Sequence, residues 1–145
     1  MQLETRAFGV IEIDEEKAVR MTEPLPGFHD LNKFAVLDPD PDNPFKWFQY
    51  LEKNDVCFLI ADPAIFFPDY SIKIKATSLL DLELEDEGDA VVAVIINLGT
   101  EPSQMTANLR APLIFNMKKN LCRQVILEDV NYKVRTHLFP GANGE

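Results

Sequence analysis

The sequence predicts a mainly β fold: a single antiparallel β-barrel-like domain with one or two short helices. Three observations carry that expectation. Short apolar or alternating segments recur roughly every 8–15 residues, clusters of Pro, Gly, Asp and Asn separate them, and no long stretch holds a helical period. At 145 residues the chain fits one domain and can bury roughly two-thirds of its unfolded surface. The expected boundaries are 1–139 for the barrel domain and 140–145 for a short loose tail.

Taken in order, residues 10–13 alternate weakly, and 34–37 form a short apolar run before Asp38-Pro39. Residues 45–51 are aromatic, broken only by Lys46 and Gln49. Residues 71–76 alternate cleanly, with Ile72, Ile74 and Ala76 on one face and Lys73 and Lys75 on the other. Residues 90–98 are β-branched and nearly continuous, as a strand covered on both faces would be. Residues 106–116, 123–127 and 132–138 complete the predicted strands. Turn signals lie at Pro24-Leu25-Pro26-Gly27, in the proline-rich loop from Asp38 to Pro44, and at Glu87-Gly88-Asp89. Helical signals are few. Thr77 or Ser78 suits the cap of a turn through Leu84, and Asn116 the cap of one through Leu121.

Charge narrows the function classes. The chain carries 24 acids against 14 Lys and Arg, a formal net charge of −10. The imbalance is uneven: residues 1–53 carry −5, residues 54–100 carry −7, and residues 101–145 carry +2. A field of that sign repels phosphate backbones, so direct nucleic-acid binding is not expected, and it suits a basic protein partner. A merely solvated acidic surface is the competing reading. The longest apolar stretches, 56–61 and 90–96, fall far short of the roughly 20 residues of a membrane-spanning helix. The N-terminus lacks a basic start and apolar core, and Cys57 and Cys122 sit among apolar residues. These features predict a cytoplasmic protein with two free thiols.

Catalytic chemistry finds no constellation. The two histidines, His29 and His137, have no Cys or carboxylate at the spacing of a zinc motif. Asp38, Asp40 and Asp42 begin like a calcium loop, but Asn43 stands where Gly is needed and Gln49 where Glu is needed. No nucleophile elbow or glycine-rich phosphate loop occurs, and neither cysteine neighbours a histidine. We therefore expect no enzyme, no catalytic residues, no metal and no cofactor. A carbohydrate-binding or carbohydrate-processing β-barrel protein is the alternative, since exposed rings and carboxylates also suit sugars.

Six strings, in order, carry a family resemblance. They are Leu25-Pro26-Gly27-Phe28; Asn43-Pro44-Phe45-Lys46-Trp47-Phe48-Gln49; Phe58-Leu59-Ile60-Ala61-Asp62-Pro63 with Phe67-Pro68-Asp69-Tyr70; Asn108-Leu109-Arg110-Ala111-Pro112-Leu113-Ile114; Gln124-Val125-Ile126-Leu127; and Tyr132 with Arg135. Together they resemble the FliW flagellar assembly factors of bacteria over residues 2–138. The resemblance implies a compact β-barrel-like fold and two protein partners. These are flagellin and the translational repressor CsrA, a small RNA-binding protein. It further implies that binding CsrA relieves repression of flagellin synthesis, with flagellin competing for the same factor.

Candidate partner-binding residues are Phe45, Trp47, Gln49, Phe67, Asp69 and Tyr70. Phe45, the lone Trp47 and Gln49 share one face of their strand, and aromatic rings are over-represented among binding hot spots. Core filling is the competing reading for Trp47. Ile65-Phe66-Phe67-Pro68-Asp69-Tyr70 places large rings in a predicted loop, which either folds over an open barrel end or presents a docking surface. Pro26-Gly27 reads as a type II turn, and 108–112 as a strand interrupted at Pro112, where the Asn108 side chain satisfies a freed backbone group. Asp81, Glu83, Glu85, Asp86, Glu87 and Asp89 form the densest acidic segment, unbroken by any base. Their expected role is electrostatic, raising negative potential near the RNA groove of a docked repressor.

Overall fold

Seven strands each turn one apolar face toward a common interior, and together they close into a ring. The computed structural model describes residues 2–5, 9–25, 32–38, 40–52, 56–128 and 131–139. In chain order its strands are β1 (Gln2–Thr5), β2 (Gly9–Glu12), β3 (Val19–Met21), β4 (Lys33–Leu37), β5 (Phe45–Tyr50), β6 (Cys57–Ala61), β7 (Ala90–Asn97), β8 (Thr106–Ala107), β9 (Leu113–Asn116), β10 (Leu121–Gln124) and β11 (Thr136–His137). Two short helices, α1 (Pro63–Phe66) and α2 (Ala76–Asp81), lie between β6 and β7. The predicted turn at Pro26-Gly27, His29 and the tail 140–145 lie outside the described residues.

The ring runs β3-β4-β5-β6-β7-β9-β10 and returns to β3. Neighbours are antiparallel except at the seam, where Leu121 and Cys122 of β10 lie parallel to Arg20 and Met21 of β3. That exception is a matter of parity. Strand direction alternates at each antiparallel step, so a ring with an odd number of strands must contain one like-directed pair. The seam is short and is extended at both ends, where Arg20 N donates to Asn120 O (2.9 Å) and Thr22 N to Cys122 O (2.9 Å).

Inward positions alternate along each strand, as pleating requires. Val19, Met21, Phe34, Phe48, Tyr50, Ile60, Ala93, Leu113, Phe115 and Cys122 fill the barrel. The Phe34 and Phe48 rings stack at 4.3 Å, and Phe115 meets Phe48 edge-on at 5.6 Å. Both Phe34 and Phe48 are fully buried, and truncating either to Ala removes about 3–5 kcal/mol. The outer faces are also largely apolar, and three appendages cover them. The β1–β2 hairpin lays Leu3 and Ile11 over Ala35 and Leu51. α2 and the segment around Ile72 and Ile74 pack on Ile114 and Leu121. α1, β8 and the C-terminal stretch enclose Leu59, Val94, Ile96 and Leu138.

Two sequence expectations change here, and a third holds. Residues 71–75 alternate like a strand but pair with none, and α2 begins at Ala76. One apolar face was enough to dock this segment on the outside of the barrel, where Ile72 and Ile74 pack without a ladder partner. Asn116 ends β9 and caps a turn through Asn120, not a helix. The 106–116 segment does break before Pro112, giving β8 and β9, which pair with opposite ends of β7. Asn108 Oδ1 accepts the freed Ala111 N–H at 3.0 Å, as the sequence reading required.

Candidate functional site

The candidate aromatic residues begin on β5. Its pleat sends Phe48 and Tyr50 into the barrel and Phe45 and Trp47 to the outer layer, where both are half-buried. Phe45 and Trp47 line a shallow hollow of about 190 Å³ with Leu98, Met105 and the Asp40 and Asn43 turn. That turn is tied by its own side chains: Asp40 Oδ1 accepts Asp42 N (3.1 Å), and Asn43 Oδ1 accepts Phe45 N (2.9 Å). Gln49 shares the outward side but is fully buried. Its neighbour across the ladder, Ala35, belongs to the layer under the hairpin. Gln49 Nε2 donates to the carbonyls of Tyr50 (3.0 Å) and Val56 (3.2 Å), which ties its side chain into the fold.

The segment expected as a ring-bearing loop is partly helical. Asp62 caps α1 by accepting Ala64 N at 2.9 Å, and Pro63 occupies the first helical turn. An Asp-Pro pair of this kind is a helix-start signal that was readable in the sequence. The segment neither plugs the barrel end nor displays all its rings. Phe66 stacks on Phe45 at 5.5 Å, and Phe139 meets Phe66 edge-on at 6.0 Å. Phe67 packs half-buried on the same outer cluster. Tyr70 is a clamp: its hydroxyl donates to Leu109 O at 2.7 Å, and its ring meets Tyr132 at 4.7 Å. Burial and the neighbouring Tyr132 push the Tyr70 phenol well above its ordinary value. Tyr132 in turn donates to Ser71 O (3.0 Å) and accepts Ser71 N (3.1 Å). Tyr70 thus braces the fold while remaining half-buried, and of this set Asp69 alone is exposed.

The acidic segment changes character on folding. No base interrupts it in sequence, yet three bases reach it from β10 and the turn before it. Asp81 takes a hydrogen bond from the Thr22 hydroxyl and pairs with Arg123 at 3.1 Å. Glu83 pairs with Lys119 at 3.2 Å, and Asp89 with Lys118 at 3.7 Å. Glu85 and Asp86 stay exposed and meet no cation among the described residues. Asp86 Oδ1 accepts Gly88 N at 3.1 Å. The bend is fastened from below by Asn116, which is buried. Its amide donates to Leu82 O (2.9 Å) and Glu83 O (3.3 Å) while its Oδ1 accepts Lys118 N (3.1 Å) and Lys119 N (3.3 Å). Sequence reasoning missed this function of Asn116 because every partner lies on another element or across a turn.

Reactive groups are muted. Desolvation pushes the Cys57 thiol up to about 11 and the buried Cys122 thiol well above its ordinary value. Among the described residues no three of His, Cys, Asp and Glu come together to hold a metal ion. No helix among them is long and apolar enough to cross a membrane.

The structure is a small closed β-barrel wrapped in apolar appendages, with half-buried rings and exposed carboxylates on its outside. Comparison with known proteins makes the class specific. The family model described as FliW protein matches residues 2–138. The flagellar assembly factor FliW of Thermoanaerobacter pseudethanolicus is 37% identical over 136 residues, covering 93% of this chain and 91% of that one. Its counterpart in Alkaliphilus metalliredigens is 35% identical over 140 residues, covering 96% and 86%. A crystal structure of the flagellar assembly factor FliW superposes with a TM-score of 0.90 at 34% identity, covering 97% of this chain and 98% of that one. The chain belongs to the FliW family of flagellar assembly factors. Assembly factors work on other proteins, so protein partners are implied, and these matches point away from the carbohydrate reading.

Proposed function

We propose that this protein binds the translational repressor CsrA, relieves its repression of flagellin synthesis, and binds flagellin as the competing partner. The observation that supports this reading most is the family match across nearly the whole chain, 2–138. The acidic field is the physical complement: a basic RNA-binding protein is attracted to a chain of net charge −10. In this reading the scaffold acts in the cytoplasm, forms no covalent intermediate and needs no cofactor. Phe45, Trp47, Phe67 and Asp69 are the outer-surface contact candidates.

The 81–89 segment has an electrostatic task on this proposal. Docked beside the repressor's RNA groove, it raises negative potential there without filling the groove. Screening lengths of about 8–10 Å allow that action at short range. The uncompensated Glu85 and Asp86 carry most of it, because Asp81, Glu83 and Asp89 each face a cation. A penalty of about 1.4 kcal/mol on RNA corresponds to tenfold weaker binding.

The test begins with CsrA and flagellin titrated separately against the chain at several salt concentrations. Binding of CsrA that weakens with salt is expected. RNA affinity is then measured for CsrA saturated with the wild-type chain or with an E85Q/D86N/E87Q variant. Restored RNA binding at full occupancy supports the electrostatic reading; inhibition as strong as wild type refutes it. Absence of binding to both proteins refutes the function.

A further inference from the structure

The outer faces of the barrel are covered by parts of this chain, but one end of its interior is not. There Ile60, Ala93 and Phe115 floor a cavity of about 630 Å³. Val91, Met117 and Ile65 stand at its edge, exposed at 49%, 48% and 57%. A cavity of this size and apolar lining is in the range that receives ligands or inserted side chains. Among the described residues no segment fills it.

The rim of this mouth is acidic. Asp42 and Asp62 line it and pair with no cation among the described residues. Among the described residues, Lys46 is the cation that also lines it, and it stands 3.7 Å from Asp38. The acidic bend adjoins the same end. Asp89 lies two residues before Val91, and Lys118 and Lys119, which pair with Asp89 and Glu83, directly follow Met117. An apolar floor, an apolar lip and an unneutralised acidic rim thus occupy one barrel end. The complementary shape is a large apolar side chain flanked by Lys or Arg.

We propose that the open barrel mouth is the docking pocket for an apolar anchor on a basic protein partner, whose flanking cations meet Asp42 and Asp62. The inference rests on the reading that a basic repressor is a partner, and it assigns that partner a seat. Buried anchors surrounded by a polar rim carry most of the energy of such contacts, while rim charges set the salt dependence.

Calorimetric titration with purified CsrA, and separately with purified flagellin, tests the assignment. Val91→Glu and Met117→Glu place a charge on the lip at exposed positions, and Asp42→Lys inverts the rim. Val134→Glu, at another exposed apolar position, is the control. Thermal melts verify folding, and the two lip variants are independent of each other. The expected result is at least tenfold weaker CsrA binding for both lip variants, a flatter salt dependence for Asp42→Lys, and no change for the control. Binding of CsrA within twofold of wild type for both lip variants overturns the pocket but leaves the repressor reading standing. Equal weakening by the control, or loss confined to flagellin, also overturns it. A wild-type chain that does not bind CsrA at all removes the repressor reading, and the pocket with it.

Discussion

Removing the Asn116 side chain should unfasten the acidic bend from the barrel. In Asn116→Ala, Leu82 O loses its donor in a fully buried position, and Glu83 O loses a longer contact. The N–H groups of Lys118 and Lys119 lose their shared acceptor but are partly solvated. A buried carbonyl left unpaired costs roughly 1–3 kcal/mol, and each net hydrogen bond contributes about 1 kcal/mol. The expected loss is therefore about 3 kcal/mol, or on the order of 10 °C in Tm for a chain of this length. Denaturant unfolding with an unchanged m-value measures it. Asn116→Asp sharpens the test: it keeps the acceptor but turns the donor into an oxygen that faces Leu82 O. Its loss at neutral pH should exceed that of Ala. Because protonation restores a donor and is favoured in the folded state, stability should recover as pH falls. A loss below about 1 kcal/mol for Ala, or no pH dependence for Asp, would refute the claim that this amide holds the bend.

Further outcomes follow from single contacts. Tyr70→Phe removes the hydroxyl donated to Leu109 O and should lower stability by about 1–2 kcal/mol in denaturant melts, with partner affinity unchanged. Glu83 sits at φ +55 where α2 ends, with Leu84 N bonded back to Leu79 O (2.8 Å) and Glu83 N to Leu80 O (3.0 Å). Glu83→Gly relieves the left-handed strain and should raise stability by roughly 0.5–1 kcal/mol despite losing an exposed ion pair. Thiol labelling should proceed slowly at Cys57, accelerating as pH rises toward about 11, while Cys122 reacts only on unfolding. Both folded thiols titrate above their unfolded values. Their contribution to stability is thus complete below about pH 9 and lost as pH climbs through the folded value of Cys57.

Local pattern made much of the barrel readable. The apolar or aromatic runs 34–37, 45–51 and 90–98 became β4, β5 and β7, while β6 formed from the apolar stretch 56–61, which the sequence weighed only as too short to span a membrane. The break at Pro112 was visible because proline cannot donate to a ladder. β1 and β3 were missed because each is only three or four residues long and gains its apolar face from partners distant in sequence. Residues 71–75 were misread because period-two alternation reports a face to bury, not a neighbour to pair with. At the candidate site, the burial of Gln49 and the bond from Tyr70 to Leu109 O depend on partners distant in sequence, which no local pattern reports.

Composition and order of residues by themselves determined the mainly β class, the net acidity, the absence of recognisable catalytic motifs and the family. Each of these is a sum or a string, indifferent to which distant residues touch. Tertiary structure alone decided the parallel seam, the coverings of the outer barrel wall, and which carboxylates stay unpaired. Those depend on ring closure and on contacts between residues far apart in the chain: Arg123 meets Asp81 across 42 positions, and Asn116 meets Leu82 across 34.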